Sequence, residues 1–239
     1  MGITEDLKKL LTNPFKGLEG NDKFQSKCFE IAKDLFRNYC INCNDKEYYF
    51  AEIEFYYYDS KQYLRNSEQY KWQKVTYPRK CNAGQLFYHL SGVDICFKSY
   101  YNENNLEDEA KFGGILIRAI RDEKNNVTAG PWNCMLKMLN ECRGGQMPLL
   151  SKAQKKICNA EENIKTTYRS LGEKDMEDEK KMANRDDNSL NLCFYDYRFL
   201  SLNNGKQPKE RKVTLNKESG KLKSYTSSYK TDRFNENNK

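Results

Sequence analysis

The stretch YYFAEIEFYYYD, residues 48–59, sets two carboxylates two positions apart inside a dense run of aromatic residues. The alternation and the aromatic content predict a β-strand over 47–58. Alternate side chains of a strand share a face, so Glu52, Glu54 and Tyr56 are expected to point the same way. An amphipathic strand with its polar face in water is the simplest interpretation. A carboxylate buried among rings would instead be suited to take a proton from water, as a general base does.

The composition is that of a globular protein with a charged end. The chain has 239 residues, of which 38% are hydrophobic and 13% aromatic, and this is enough to build one domain over 1–204. No apolar run is long enough for a membrane helix, and the first residues lack the apolar core of a secretory signal. Net charge is +7, and 205–239 hold ten Lys/Arg against four Asp/Glu. This tail is expected to be a flexible solvated end or a basic arm attracted to nucleic-acid phosphates.

The cysteines and the histidine limit the chemistry. Nine cysteines, an odd number, indicate free thiols in a reducing cytoplasm rather than a disulfide framework. Cys40 and Cys43 have zinc-ligand spacing, but no second pair completes a four-ligand site, so we expect no metal and no other cofactor. His89 is the single histidine, which leaves little for Ser–His or Cys–His nucleophile schemes.

Helical segments follow from periodicity and from end signals. The apolar spacing predicts a helix over 22–38. Gly130 followed by Pro131 predicts the start of another, which ends near Cys142. Ser151-x-x-Gln154 resembles a capping box and predicts a further helix with Ile164 on its inner side.

Strands make up most of the remaining regular structure. They are predicted over 47–58, 85–98, 113–120 and 191–202. Gly92 is expected to mark a bulge or a close backbone approach within the second of these strands. The order of elements predicts an α+β fold, with one domain built on a curved, mostly antiparallel sheet flanked by helices.

Five stretches resemble, in the same order, the motifs of the alkyladenine (3-methyladenine, methylpurine) DNA glycosylase family. They are AKDLFRNYCI, AEIEFYYYD, QLFYHLSGVDIC, GGILIRAI and MPLLSKAQKKIC. The second is similar to the family's VETEAY strand and the fourth to its VLLRALEP strand. The resemblance spans about 24–165, and the shared order of short motifs carries it. It implies the family's fold, base-excision repair by hydrolysis, a DNA or nucleotide-like partner, and a location in the cytoplasm, nucleoid or nucleus.

The resemblance assigns roles to individual residues. The family's catalytic glutamate falls on Glu54, which would activate the water that attacks the sugar C1′ of an extruded nucleotide. Tyr56 and Tyr88 fall on the two tyrosines that stack on the extruded base, a use of aromatic rings that tolerates any base. Arg118 falls on the arginine near the catalytic water and the backbone phosphate. Glu52 matches the family's other glutamate, which supports the site.

Three positions depart from the family pattern. The tyrosine that fills the gap in the DNA stack is replaced by Ser91, and His89 or Leu90 are the other candidates for this wedge. The pocket asparagine aligns with Lys98. Arg65 lies near the place of the base-binding histidine. The groups for hydrolysis are therefore kept, whereas the groups for extruding a base are partly lost.

Three functions are consistent with the sequence. The first is a hydrolase of N-glycosidic bonds in modified purines. The second is an inactive member of the same fold that holds a nucleotide or a single strand. The third is an unrelated interaction protein in which 48–59 form a core strand. An exposed Glu54, with Tyr56 far from Tyr88, would favour the third.

Overall fold

A computed structural model describes residues 3–18, 21–59, 79–100, 110–154, 164–168 and 192–196. The helices in these ranges are α1 (Glu5–Thr12), α2 (Asn21–Asn38) and α3 (Pro131–Glu141). The strands are β1 (Tyr39–Cys43), β2 (Lys46–Asp59), β3 (Leu86–His89), β4 (Gly92–Cys96), β5 (Lys111–Arg121), β6 (Val127–Ala129), β7 (Leu149–Lys152), β8 (Ile164–Tyr168) and β9 (Leu192–Asp196). The predicted mixture of helices with an antiparallel sheet is confirmed. The basic tail 205–239 and Arg65 lie outside the described residues.

Strand β2 is the centre of a curled, antiparallel half-barrel. The sheet runs in the order β3-β4-β5-β2-β1-β7, with β6 beside β5 and with β8 paired to β9. Along one edge β2 pairs with β5, and along the other it pairs first with β1 and then with β9. The middle of β2, at 52–54, therefore has a strand on both sides, which removes its backbone from solvent.

The three described helices pack on one side of the sheet, the core face. Apolar residues at helical spacing give each helix one buried stripe. The fully buried contacts include Leu7, Leu11, Ile31, Leu35, Cys134 and Met138 from the helices and Ile53, Phe55, Ile115 and Ile117 from the strands. Each such aliphatic or aromatic side chain contributes about 1.5–3 kcal/mol when it leaves water.

Compensating bulges interrupt β2 and β5 at the same level. The register shifts make Ala51 the extra residue of β2 and Arg118 the extra residue of β5. A bulge re-aims the side chains that follow it. As a result Phe50 and Ile53 both reach the core face, although they lie an odd number of positions apart. Glu52 lies between them and points to the other face.

The single strand predicted over 85–98 is instead two strands, because the chain turns back on itself at 90–91. β3 and β4 are antiparallel partners, and Leu90 and Ser91 form the turn between them. Gly92 is the first residue of β4 rather than a bulge, with φ 150°. A Cβ at this position would lie 2.7 Å from the Cβ of Pro131, so the hairpin can approach α3 only because residue 92 is a glycine.

The helix predicted from Ser151 does not begin there, and residues 155–163 lie outside the described part of the chain. Residues 149–152 are strand β7, in which Ser151 pairs with Cys40 of β1, and its hydroxyl lies 3.4 Å from the Cys40 thiol. Ile164, expected on the inner side of that helix, begins strand β8. Pairing across the sheet overrides the local capping signal here. Helix α1 and strands β1 and β6 had no prediction.

Candidate functional site

The sheet face opposite the core face, the polar face, carries buried charges. Cross-strand pairs share a face, so Glu54, Leu116 and Asp94 lie in one row across β2, β5 and β4. The buried ionisable residues of this face include Glu47, Glu52, Glu54, Asp94, Arg118 and Arg121. Charged side chains are almost never buried unless they are paired. A face so rich in them therefore requires specific partners.

Arg118 bridges the two carboxylates of β2. Its Nε donates to Oε1 of Glu52 at 3.0 Å, and its other nitrogen, Nη1, donates to Oε2 of Glu54 at 2.6 Å. Both glutamates are fully buried, and only 8% of the Arg118 side chain is exposed. The expectation of an exposed polar strand is therefore replaced by a buried cluster of two glutamates around one arginine, the Glu–Arg–Glu triad.

Tyr56 lies on the polar face one row further along β2. It stands directly opposite Gly114 of β5 and is buried. A Cβ on Gly114 would lie 3.0 Å from the Cβ of Asp94 and 3.4 Å from Nη1 of Arg79. The absent side chain thus leaves room for the guanidinium of Arg79 beside the row of carboxylates.

A second charged cluster occupies the same face on β4. Arg79 forms a buried ion pair with Oδ2 of Asp94, and Nε2 of His89 lies 3.3 Å from Oδ1 of the same carboxylate. The backbone N–H of Ser91 donates to Nδ1 of His89 at 3.2 Å, so Nε2 carries the ring proton and donates to Asp94. The Arg79 guanidinium stacks on Phe87 at 4.6 Å, and Phe87 stacks on His89 at 5.9 Å.

The two clusters lie on strands that are separated by one other strand. Glu54 and Asp94 are separated by a single strand, β5. Neighbouring strands are spaced by about 4.8 Å, so their backbones are roughly 10 Å apart. Leu116 lies between the two carboxylates on the same face, and Phe87 and His89 lie at the Asp94 end of the row.

Asp94 and Arg79 were not predicted as site residues. Asp94 is a lone acid in the apolar strand GVDIC, which is a signal that sequence reasoning could have used. Arg79 gives no such signal, because it lies outside the strands. Its guanidinium lies beside Gly114, where a Cβ would be 3.4 Å from Nη1.

Tyr88 does not join the site. It pairs directly with Val93 and packs against the core face, whereas Glu54 and Tyr56 lie on the polar face. Burial, with the nearby thiols of Cys142 and Cys43, raises the pKa of Tyr88 to about 12. The expected stacking of one base between Tyr56 and Tyr88 is therefore not possible in this arrangement.

The remaining predicted site residues lie at the surface. Leu90 is 92% exposed at the tip of the β3–β4 hairpin, and Ser91 beside it is exposed as well. Lys98 is exposed too, with its ammonium 5.2 Å from the Tyr100 ring. His89 differs from these three residues, because its Nε2 contacts the buried carboxylate of Asp94.

The described part of the chain offers no metal centre and no membrane helix. No three His, Cys, Asp or Glu side chains there come together as metal ligands. No helix there is long and apolar enough to cross a bilayer. Seven cysteines, Cys28, Cys40, Cys43, Cys81, Cys96, Cys134 and Cys142, are free thiols.

Comparison with protein-family models, curated proteins and solved structures finds no significant match to this chain. The resemblance to alkyladenine DNA glycosylases therefore rests on the short motifs alone. Any function has to be argued from the geometry of the polar face.

Proposed function

We propose that the protein hydrolyses the N-glycosidic bond of modified purine nucleotides in DNA, with Glu54 as the general base. The contact between Glu54 and Arg118 is the observation that carries the proposal. The two residues lie 64 positions apart in sequence and 2.6 Å apart in space. The resemblance assigned them to one reacting centre independently of the fold, so their contact supports that assignment.

The reaction needs one proton acceptor and one attacking water. The Glu54 carboxylate takes a proton from water as the water oxygen bonds to C1′ of the sugar. The C1′–N bond breaks, and the purine leaves with its electron pair and takes a proton from solvent. Positive charge that builds on the sugar in this step is stabilised by nearby carboxylates.

Arg118 and Glu52 position the carboxylate of Glu54, the general base. A guanidinium holds a carboxylate in a defined plane through its fixed fork of donors. Because Glu52 takes the Nε of Arg118, the Nη1 group is directed at Glu54. Glu52 is thus a positioning residue, while Glu54 would touch the water.

Recognition of the base would use the rings on the polar face. Tyr56 keeps its assigned role, but the second surface would be Phe87 or His89 instead of Tyr88. Stacking on such rings contributes about 1–3 kcal/mol per base without requiring a particular base.

Loss of catalysis with retention of ligand binding is the alternative. The burial of Glu54 favours it, because a carboxylate with no exposed surface must gain access to water before it can react. The displacement of Tyr88 to the core face favours it as well. In that case the same polar face would hold a nucleotide or a single strand without cleaving it.

Release of free base from synthetic oligonucleotides tests the proposal. Hypoxanthine and alkylpurines in single-stranded and duplex DNA should be cleaved by the native protein and not by Glu54→Gln. Glu47→Gln is the matched control, because Glu47 is an equally buried carboxylate of β2 that binds Tyr49 and the backbone of Gln154 instead. Binding of these oligonucleotides without release of base would select the inactive alternative. If the protein neither binds these oligonucleotides nor releases a base from them, the hydrolase and the inactive alternative are both refuted.

A further inference from the structure

A pair of thiols lies beside the Arg79–Asp94 ion pair and has no role in the proposed hydrolysis. The side chains of Cys81 and Cys96 are within hydrogen-bonding distance of each other. Cys96 is fully buried, and Cys81 is 7% exposed. Arg79 also contacts the Cys96 thiol, so the two sulfur atoms and the guanidinium form one cluster.

The backbone fixes this pair at the base of the β3–β4 hairpin. The N–H of Ser99 donates to the carbonyl of Cys81 at 3.0 Å. The N–H groups of Gly84 and Cys96 form two further bonds, to the carbonyls of Cys96 and Gln85, both at 2.8 Å. Residues 81–85 and 96–99 therefore run side by side, and the thiols meet where the hairpin leaves the sheet.

The surroundings make the acidities of the two thiols unequal. The hydrogen bond from Cys96 and the positive charge of Arg79 hold the pKa of Cys81 below its ordinary value, although burial and Asp94 oppose them. The same hydrogen bond and burial raise the pKa of Cys96. Cys81 is thus the more acidic of the two thiols, and Cys96 is the thiol that donates to it.

We propose that Cys81 and Cys96 are a redox-active dithiol, which hydroperoxides oxidise to a disulfide across the base of the β3–β4 hairpin. Proximity of the two sulfur atoms and a cation beside them are the features that such pairs share. The small exposed area of Cys81 suits a small oxidant such as hydrogen peroxide.

The oxidation balances with peroxide as the electron acceptor. The Cys81 sulfur attacks one peroxide oxygen, the O–O bond breaks, and the leaving hydroxide takes a proton to become water. Cys81 is then a sulfenic acid. The Cys96 sulfur attacks the Cys81 sulfur and forms the S–S bond, and the displaced hydroxide takes the Cys96 proton to give a second water. Two thiols lose two electrons, and one peroxide is reduced to two waters.

A disulfide between Cys81 and Cys96 would constrain the β3–β4 hairpin, which carries part of the polar face. Residues 82–95 lie between the two cysteines and include Phe87, His89 and Leu90. Closing that loop restricts its open conformations. Oxidation is therefore expected to protect the backbone amides of β3 and β4 from hydrogen exchange.

A second thiol pair in the same protein serves as an internal control. Cys43 and Cys142 are also within hydrogen-bonding distance, and the charged group that acts on Cys43 is the carboxylate of Glu141. Burial and these neighbours raise the pKa of Cys43. If proximity alone decided reactivity, both pairs would oxidise together. If the cation beside Cys81 decides it, that pair oxidises first.

The test is titration of the folded, full-length protein with hydrogen peroxide, followed by alkylation and peptide mapping by mass spectrometry. The first cross-linked peptide should join Cys81 to Cys96, and thiol reductants should reverse it. In Cys96→Ser the reaction should stop at a Cys81 sulfenic acid that a cyclic 1,3-diketone traps. Cys142→Ser should leave the first cross-link unchanged.

Two outcomes would overturn the proposal. One is a first cross-link between Cys43 and Cys142, with Cys81 still reduced. The other is oxidation of Cys81 to sulfinic acid in the native protein without any bond to Cys96. Melting temperatures of the reduced variants show whether each is folded, and Cys142→Ser remains informative if Cys96→Ser is not.

Discussion

At the residue scale, burial of the Glu–Arg–Glu triad carries a large desolvation cost. Removing a carboxylate or a guanidinium from water costs several kcal/mol, and pairing recovers this only when the geometry is good. Arg118 meets that condition with one contact to each glutamate, at 3.0 and 2.6 Å. The triad also carries a net charge of −1, so any ligand that places positive charge near it is favoured.

Arg118→Met should therefore destabilise the fold strongly. The methionine fills much of the same volume but leaves Glu52 and Glu54 buried without their cation, which costs about 3–5 kcal/mol. Lys46→Ala is the control, because Lys46 is 62% exposed and its pair with Glu141 is worth less than about 1 kcal/mol. Urea unfolding of the three proteins gives both differences. Equal losses would mean that the triad is hydrated in solution.

The sequence predicted part of this site and missed the rest for a specific reason. Strand alternation is enough to put Glu52 and Glu54 on one face. It fails for Tyr88, because a continuous strand would place Tyr88 on the same face as Asp94. The two-residue turn after His89 reverses that relation and pairs Tyr88 with Val93. The usual Asn-Gly or Asp-Gly hairpin signal is absent here, and the turn dipeptide Ser91-Gly92 was the local signal that could have been used.

At the element scale, the β3–β4 hairpin connects the polar face to helix α3. The long strands β2 and β5 were predictable because each is a long run of strand-forming residues. Short β1 and β6 were not predicted, although they pair with the neighbouring strands β2 and β5, because five and three residues give too short a pattern. Strand β7 was not predicted because its partner β1 lies far away in the sequence. The hairpin depends on Gly92, where the sequence allowed a close approach but did not identify Pro131 as the partner.

Gly92→Ala should cost more stability than Gly144→Ala. Both positions have positive φ, at 150° and 66°, so both substitutions strain the backbone by about 1 kcal/mol. At Gly144 the added Cβ meets nothing within 4 Å, whereas at Gly92 it meets Pro131 at 2.7 Å. We expect a total loss of about 2–4 kcal/mol for Gly92→Ala by chemical denaturation. A loss no larger than that of Gly144→Ala would contradict the close packing of hairpin and helix.

The end of α3 should give the protein an acid-sensitive contact. Hydrogen bonds from Lys137 and Lys46 lower the pKa of Glu141 from 4.5 to about 2. A carboxylate with a depressed folded pKa stabilises the fold above pH 4.5, and the contribution is lost as pH falls toward 2. The pair is near the surface, so the contribution is under about 1 kcal/mol. Urea unfolding of native protein and Glu141→Gln should converge over that pH range, and parallel curves would contradict the assignment.

At the scale of the whole molecule, charge is distributed very unevenly. Residues 205–239 carry ten Lys/Arg and four Asp/Glu, which is +6 of the total +7. The rest of the chain is close to neutral, and several of its charged side chains are buried on the polar face. Nucleic-acid affinity that arises from phosphate contacts would therefore depend on the tail.

Deleting 205–239 should lower DNA affinity and flatten its dependence on salt. Each phosphate contact that is lost reduces the slope of log K against log salt by about 0.7–0.9. Fluorescence anisotropy with a labelled oligonucleotide at several salt concentrations measures both effects. A slope that does not change on truncation would assign DNA binding to the folded part alone.

Under the proposed function, the exposed hairpin tip predicts which form of DNA is cleaved faster. Extruding a base from a duplex costs a few kcal/mol, and the small Ser91 side chain cannot fill the gap that remains. Each 1.4 kcal/mol left uncompensated lowers the flipped population about tenfold. Single-stranded or mismatched DNA should therefore be cleaved at least about tenfold faster than intact duplex, and Ser91→Tyr should narrow that difference.

Equal rates on both forms would contradict the assignment of Ser91 to the gap. Leu90, with 92% of its surface exposed at the same tip, would then be the wedge. In that case Leu90→Ala should slow cleavage of duplex DNA and leave the single strand unaffected. His89 is less suited, because Asp94 and the Ser91 backbone hold its ring.

The central claim is that Glu54 is a general base and not only a partner of Arg118. Single-turnover release of base, with enzyme in excess over a single-stranded alkylpurine oligonucleotide, measures the chemical step alone. The account predicts a loss of about 10²–10⁴-fold in Glu54→Gln, the usual contribution of a positioned base, with oligonucleotide affinity kept. Glu47→Gln should react like the native protein. Equal rates in Glu54→Gln and the native protein would contradict the claim.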